Sequence, residues 1–215
     1  MTREREPHDR EAAGRRIEAW LAQPFWWLIM RSPAGDGHAG GVLKVWTWWE
    51  RLYLRRHHVR ALGDRSVLHV EVRRHRGATV TLADGTAVQS RDRIVELHLA
   101  NSIVSPGAEA AGWSPFDVVS RARTDLGTLA RLVAAGSLGE VAAVHGVSLI
   151  APALARLGFE VTPLDRTAGA RLLHFYLVGL LAVYHPEGWR SAGRARDGAW
   201  PAEAWMSTRR LATLY

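Results

Sequence analysis

Two short segments place histidine and glutamate at alternate positions. They are Leu68-His69-Val70-Glu71-Val72 and Val95-Glu96-Leu97-His98-Leu99. Alternation of apolar with polar residues predicts strands with one buried face. In a strand, residues i and i+2 share a face, so His69 projects with Glu71 and Glu96 with His98. If the strands pair, two imidazoles and two carboxylates meet on one surface. Such a group could do acid–base chemistry, with a glutamate orienting a histidine that takes up a proton. It could also hold a divalent ion on imidazole nitrogen and carboxylate oxygen. The third reading is a wet sheet face decorated with Glu–His and Glu–Arg pairs. Residue types alone leave all three open.

The pairing depends on the chain reversal between the two segments. Thr79–Leu82 and Thr86–Val88 flank Asp84-Gly85, a tight-turn signal because both residues tolerate positive φ. A two-residue turn there sets Glu71 opposite His98 and Arg73 opposite Glu96. A register shifted by two sets His69 opposite His98 and Glu71 opposite Glu96. Either way His69, Glu71, Glu96 and His98 are the candidate catalytic residues. Arg73 stands beside them, and Asn101, at the end of the second segment, is a candidate binding residue.

His145-Gly146-Val147-Ser148 is a second constellation, read as a turn between a strand and a helix. Free N–H groups at a helix start make an anion pocket, so His145 and Ser148 are candidate binding residues. With Leu157-Gly158-Phe159-Glu160 the segment resembles the acetyl-CoA-binding half of N-acetyltransferases, without the Gly-rich pyrophosphate loop. That acyltransferase reading predicts a split between parallel strands beside Ser148. The alternative is an ordinary strand-to-helix turn.

A third group is the tryptophans. Trp26, Trp27, Trp46, Trp48 and Trp49 lie near Lys44, Arg51, Arg55 and Arg56. A basic, Trp-rich amphipathic helix could rest on an anionic membrane, or its rings could stack on sugars. Trp46 and Trp49 recur at helical spacing and read as core. Trp48, off that stripe, is the candidate binding residue, and Trp189 is a second exposed candidate. His57-His58 is a poor ligand pair, since neighbours on a helix point apart. No Gly-x-Ser-x-Gly elbow, His-Glu-x-x-His helix or Walker loop occurs.

The elements that must position these residues follow from periodicity. Val42–Leu62 reads as an amphipathic helix through Val45, Trp46, Trp49, Leu52 and Tyr53, stopped at Gly63-Asp64. An antiparallel meander follows through the two His/Glu strands. Ser114-Pro115 opens a helix ending at Gly136. Glu140–His145, Val147–Leu157 and Phe159–Leu164 read as a βαβ unit with parallel strands. Thr167–Tyr184 reads as a well-buried apolar helix, Ala204–Ser207 as a short strand, and Thr208–Tyr215 as a terminal helix. The sum is one α/β domain over 42–215 with a mixed sheet, antiparallel in its first half. Before it, residues 1–41 form a charged lead-in, a short helix and a Gly-rich loop.

The chain has 215 residues and no cysteine, which removes disulfides, thiolate metal sites and cysteine nucleophiles. Its formal charge of +7 invites an anionic partner. Yet Lys44 is the sole lysine and Asn101 the sole asparagine, a profile that codon usage produces by exchanging Lys for Arg. The arginines are scattered, so nucleic acid is not the expected ligand. No segment reads as a signal peptide or reaches the roughly 18 apolar residues of a spanning helix. The expectation is a cytoplasmic protein for which peripheral membrane contact stays open. The residues do not identify a cofactor.

Several strings taken in order resemble one family. They are Trp49-Glu50-Arg51-Leu52-Tyr53, Leu68–Val72, Thr81-Leu82-Ala83-Asp84-Gly85-Thr86, Asp92–Asn101, Leu157-Gly158-Phe159-Glu160-Val161-Thr162-Pro163-Leu164 and Trp205-Met206-Ser207. The family is that of YkoP-like domains, uncharacterised bacterial α/β domains sometimes fused to polysaccharide deacetylases. The resemblance runs from about residue 42 to the end. It implies an accessory or binding module of cell-envelope glycan metabolism, with a saccharide or an envelope protein as partner. It supplies no catalytic residues. One departure is Ser90-Arg91-Asp92, where the family pattern leads one to expect glycine before the aspartate.

Overall fold

The computed structural model describes residues 59–100 except 65, then 115–184, 193, 195 and 198–215. A six-stranded sheet is its frame. The strands and helices are β1 (Arg60–Ala61), β2 (Leu68–Arg74), β3 (Val80–Thr81), β4 (Ala87–Val88), β5 (Arg93–Leu99), α1 (Pro115–Ala134), β6 (Ala143–Ser148), α2 (Ala151–Arg156), β7 (Glu160–Pro163), α3 (Ala168–Tyr184), β8 (Ala202–Ser207) and α4 (Thr208–Leu214). The sheet order is β1-β2-β5-β6-β8-β7, and β3 pairs with β4 as a separate hairpin. Only the β5–β6 neighbours are parallel among the described strands. The mixed α/β sheet is therefore the expected one.

Alternation sorts the sheet into two faces. Leu68, Val70, Val95, Val144, Ala204 and Met206 are buried in one core with Ala122, Leu126, Leu129 and Ala130 of α1 and Leu211 of α4. Apolar burial at ~25 cal/mol per Å² makes this the main stabilising layer. The opposite face carries His69, Glu71, Arg73, Glu96, His98 and His145. At its lower end Ile94, Ala143 and Trp205 are buried under Leu82 and Val88, residues of the hairpin and its turn.

Asp125 of α1 locks the first strand to the helix layer. Its buried Oδ2 accepts from the backbone N–H of Val67 at 2.7 Å and of Leu68 at 2.9 Å, and from the Ser66 hydroxyl at 3.0 Å. At the other end of α1, Gly136 takes φ 68° and closes the helix, with Ser137 N–H reaching Leu132 O at 3.0 Å.

Several expectations need correction. The helix expected over Val42–Leu62 lies outside the described residues up to 58. Its last residues, Arg60 and Ala61, are strand, paired with Val70 and His69 on the open edge of β2. The Asp84-Gly85 turn spans three residues, since Leu82 N–H donates to Thr86 O at 2.9 Å. A second turn at Gln89–Asp92 places Arg91 at φ 76°. Together these turns select the shifted register.

The helix expected from Val147 begins at Ala151. Val147 and Ser148 stay extended because they pair with Glu203 and Ala202 of β8. β6 and β7 do run in the same direction, but β8 lies between them, antiparallel to both. The helix expected to be well buried, α3, is covered on one side only over its described side chains. Ala170, His174 and Val178 are buried, whereas Phe175 is half exposed.

Candidate functional site

The four His/Glu residues meet as the shifted register requires: His69 pairs with His98 and Glu71 with Glu96 across β2 and β5. Side-chain contacts then run on the diagonal. Arg73 holds Glu96 Oε2 through Nη2 at 2.8 Å and Nε at 3.0 Å. His98 Nε2 lies 3.4 Å from Glu71 Oε2, within ion-pair range but not aligned as a hydrogen bond.

The parallel neighbour adds a residue expected elsewhere. His145 is the register partner of Glu96, and its Nδ1 lies 2.6 Å from the same Oε2. A carboxylate only accepts, so Nδ1 carries the hydrogen. Nε2 of His145 is buried and has no hydrogen-bond partner among the described residues, and the same holds for His98 Nε2. The His145 ring packs on Trp205 at 4.1 Å between centroids, and His75 meets that indole edge-on at 5.4 Å. Trp205 in turn pairs with Glu160, whose carboxylate accepts from Ala83 N–H at 2.9 Å and ties the hairpin tip to the sheet.

This is not a wet sheet face. Side-chain exposure is 6% for His145, 12% for Glu96 and 12% for Glu71; His98, at 27%, and Arg73, at 43%, reach toward solvent. Burying a carboxylate costs several kcal/mol unless it is paired. Burial pushes the Glu96 carboxyl up. The hydrogen bond from His145 and the attraction of the groups around it, His145, Arg73 and His98, outweigh it, so the pKa settles below the usual value. His69 moves down as well, first because burial disfavours its charged form and then because His98 faces it; Asp125 pulls the other way.

Of the candidate catalytic and binding residues, His69, Glu71, Arg73, Glu96, His98 and His145 lie on this one face. Ser148 does not join them: its hydroxyl accepts from Ile150 N–H at 3.1 Å, ahead of a helix of six residues. The segment read as a strand-to-helix turn is the end of a strand, with the helix starting at Ala151. Asn101, Trp48 and Trp189 lie outside the described residues. No group of three or more His, Asp or Glu side chains is placed to hold a metal ion among the described residues. The physical reason is visible at Glu96, whose oxygen is already taken by Arg73 and His145.

Residue pattern gave no cue that Glu96 and His145 would touch, because parallel pairing across a helical crossover leaves no local signature. Trp205 was legible only as a strand residue. Asp125 was hidden among the polar positions of α1.

No described helix is long and apolar enough to cross a membrane. Comparison with curated proteins and with solved structures finds no match. The family model of the YkoP domain matches residues 39–215, taking in every element described above, and the chain belongs to the YkoP domain family.

Proposed function

We propose that this domain is catalytic and that His145, oriented by Glu96, moves a proton to or from a bound substrate. One observation carries the reading: Nδ1 is tied to a carboxylate at 2.6 Å while the buried Nε2 has no partner among the described residues. A histidine that only stabilised the sheet would satisfy both nitrogens or leave one in water. With Nδ1–H fixed by Glu96, the neutral ring presents its lone pair at Nε2, the arrangement of a general base. The hydrogen bond from His145 and then the charge of Arg73 favour the ionised form of Glu96, and Trp205 packs against the ring.

Acyl transfer is the second reading, and one feature favours it. The β5–β6 ladder ends at Glu96–His145, although β5 continues to Leu99 and β6 to Ser148. Each stays paired on its outer side, Leu99 with Leu68 and Ser148 with Ala202. The end of the parallel pairing beside His145 is the feature that suits an acyltransferase, with Gly146 still close to Leu97 one step beyond it. A saccharide acceptor would agree with the glycan context that the family resemblance implies, and stacking tryptophans such as Trp48 would serve it.

The test is turnover of p-nitrophenyl acetate, and of acetyl-coenzyme A with amine and sugar acceptors, by the full chain. Activity should follow an imidazole ionisation. His145→Gln should lose on the order of 10²–10⁴-fold, Glu96→Gln should lose less, and Arg73→Ala least. Equal rates for wild type and His145→Gln in every assay would overturn the reading.

A further inference from the structure

On the far side of the sheet, the helix layer holds a depression where α1, α2 and α4 meet. Arg123 of α1, Arg156 at the end of α2 and Arg210 of α4 line it together with Gly158, Leu214 and Tyr215. Three arginines from three separate helices thus line one concavity that no aspartate or glutamate lines. None of the three takes part in an ion pair among the described residues. Three arginines against one anionic group in the lining, the terminal carboxylate of Tyr215, leave a positive local potential that draws anions.

The local backbone aims one of these groups. Gly158 sits at φ +88°, a backbone conformation that L side chains rarely adopt, and the end of the Leu214 side chain packs where a Cβ would project. The Gly158 carbonyl accepts from Arg210 Nε at 2.7 Å. That contact fixes the plane of the guanidinium and leaves its two Nη groups unengaged by any described hydrogen bond. The Tyr215 hydroxyl donates to Leu157 O at 3.0 Å, which leaves its oxygen lone pairs for a hydrated or protonated ligand.

We infer that this depression binds a terminal phosphate group. A monocarboxylate offers one charge on a plane. A phosphate offers close to two charges on a tetrahedron, which suits several forked donors arriving from different directions. The site lies across the sheet from His145 and does not depend on the catalytic reading. The ligand is free phosphate or the end of a phosphomonoester, and the chemistry at the arginines is the same for both.

The experiment titrates the full chain with inorganic phosphate, and separately with glycerol 3-phosphate, at constant ionic strength set by chloride. Binding is followed by calorimetry. Saturable binding is expected, weakened about tenfold by Arg123→Gln and about tenfold by Arg156→Gln, since each charge-assisted hydrogen bond contributes roughly 1.5–3 kcal/mol. These two exposed side chains carry no described hydrogen bond, so both variants should keep the wild-type melting temperature. Tighter binding of glycerol 3-phosphate assigns the ligand to phosphomonoesters, and equal or weaker binding assigns it to the free ion. His145→Gln should bind phosphate like wild type. The inference is overturned if phosphate does no more than chloride, or if the double variant Arg123→Gln/Arg156→Gln binds as well as the parent.

Discussion

Glu96 and His145 are register partners across the parallel β5–β6 pair, and their side chains close to 2.6 Å on the face opposite the helix layer. That contact turns two strand residues separated by a helix into one buried ionisable unit. Its titration should be visible in stability. The folded pKa of Glu96 lies below the ordinary 4.5. A folded state that binds its proton less readily than the unfolded chain gains stability above the unfolded value and loses it as pH falls through the folded one. Urea denaturation should therefore show stability declining below about pH 4.5. Glu96→Gln should flatten that limb and cost about 1–3 kcal/mol at pH 7. An unchanged acid limb in the variant would disprove the assignment.

His69 predicts a second window, at higher pH. Its folded pKa lies below 6.5, chiefly through burial and then through His98 opposite. The sign is the same as for Glu96: stability is complete above about 6.5 and is lost as pH falls through the lowered value. Replacing His69 by Gln should remove the part of the pH–stability curve that declines below about pH 6.5 through this residue, while leaving the Glu96 limb in place. Retention of both bends in His69→Gln would assign the upper one to another histidine.

Asp125 is the buried anchor of β2. Three donors converge on its Oδ2, two of them backbone N–H groups of Val67 and Leu68. Asp125→Ala leaves those donors unsatisfied inside the protein, each costing about 1–3 kcal/mol. Chemical denaturation should show a loss of about 2–4 kcal/mol. Asp125→Asn retains one acceptor oxygen and should recover part of it. A loss below 1 kcal/mol in the alanine variant would mean water replaces the carboxylate.

The two His/Glu strands were readable because alternation is local, and so was the face they share. The hairpin was readable from Asp84-Gly85, but the register was not: it depended on a three-residue turn at Ala83–Gly85 and on the backbone at Arg91. α1 ended where Gly136 said it would. Pairing of β5 with β6, and insertion of β8 between β6 and β7, join segments far apart in the chain, and no residue near His145 encodes them. The same limit explains why Val147 and Ser148, with a helix close behind, read as helix until β8 claimed them.

Arg91 is where the residue pattern and the backbone conflict. It stands where the family pattern suggested glycine, and its φ of 76° lies in the left-handed region. An L-residue pays roughly 1–2 kcal/mol there, which glycine does not. The turn holds its geometry through other groups: Arg91 N–H donates to His75 O at 2.8 Å, and Gln89 N–H donates to the Asp92 carboxylate at 2.7 Å. None of these contacts uses the exposed Arg91 side chain. Arg91→Gly should therefore stabilise the protein, by about 1 kcal/mol once the extra freedom of the unfolded glycine is subtracted. Arg91→Val should destabilise it, because branching at Cβ worsens the same clash. Thermal melts of the two variants should move in opposite directions. A drop in melting temperature for Arg91→Gly would show that the arginine side chain, not the backbone, holds this turn.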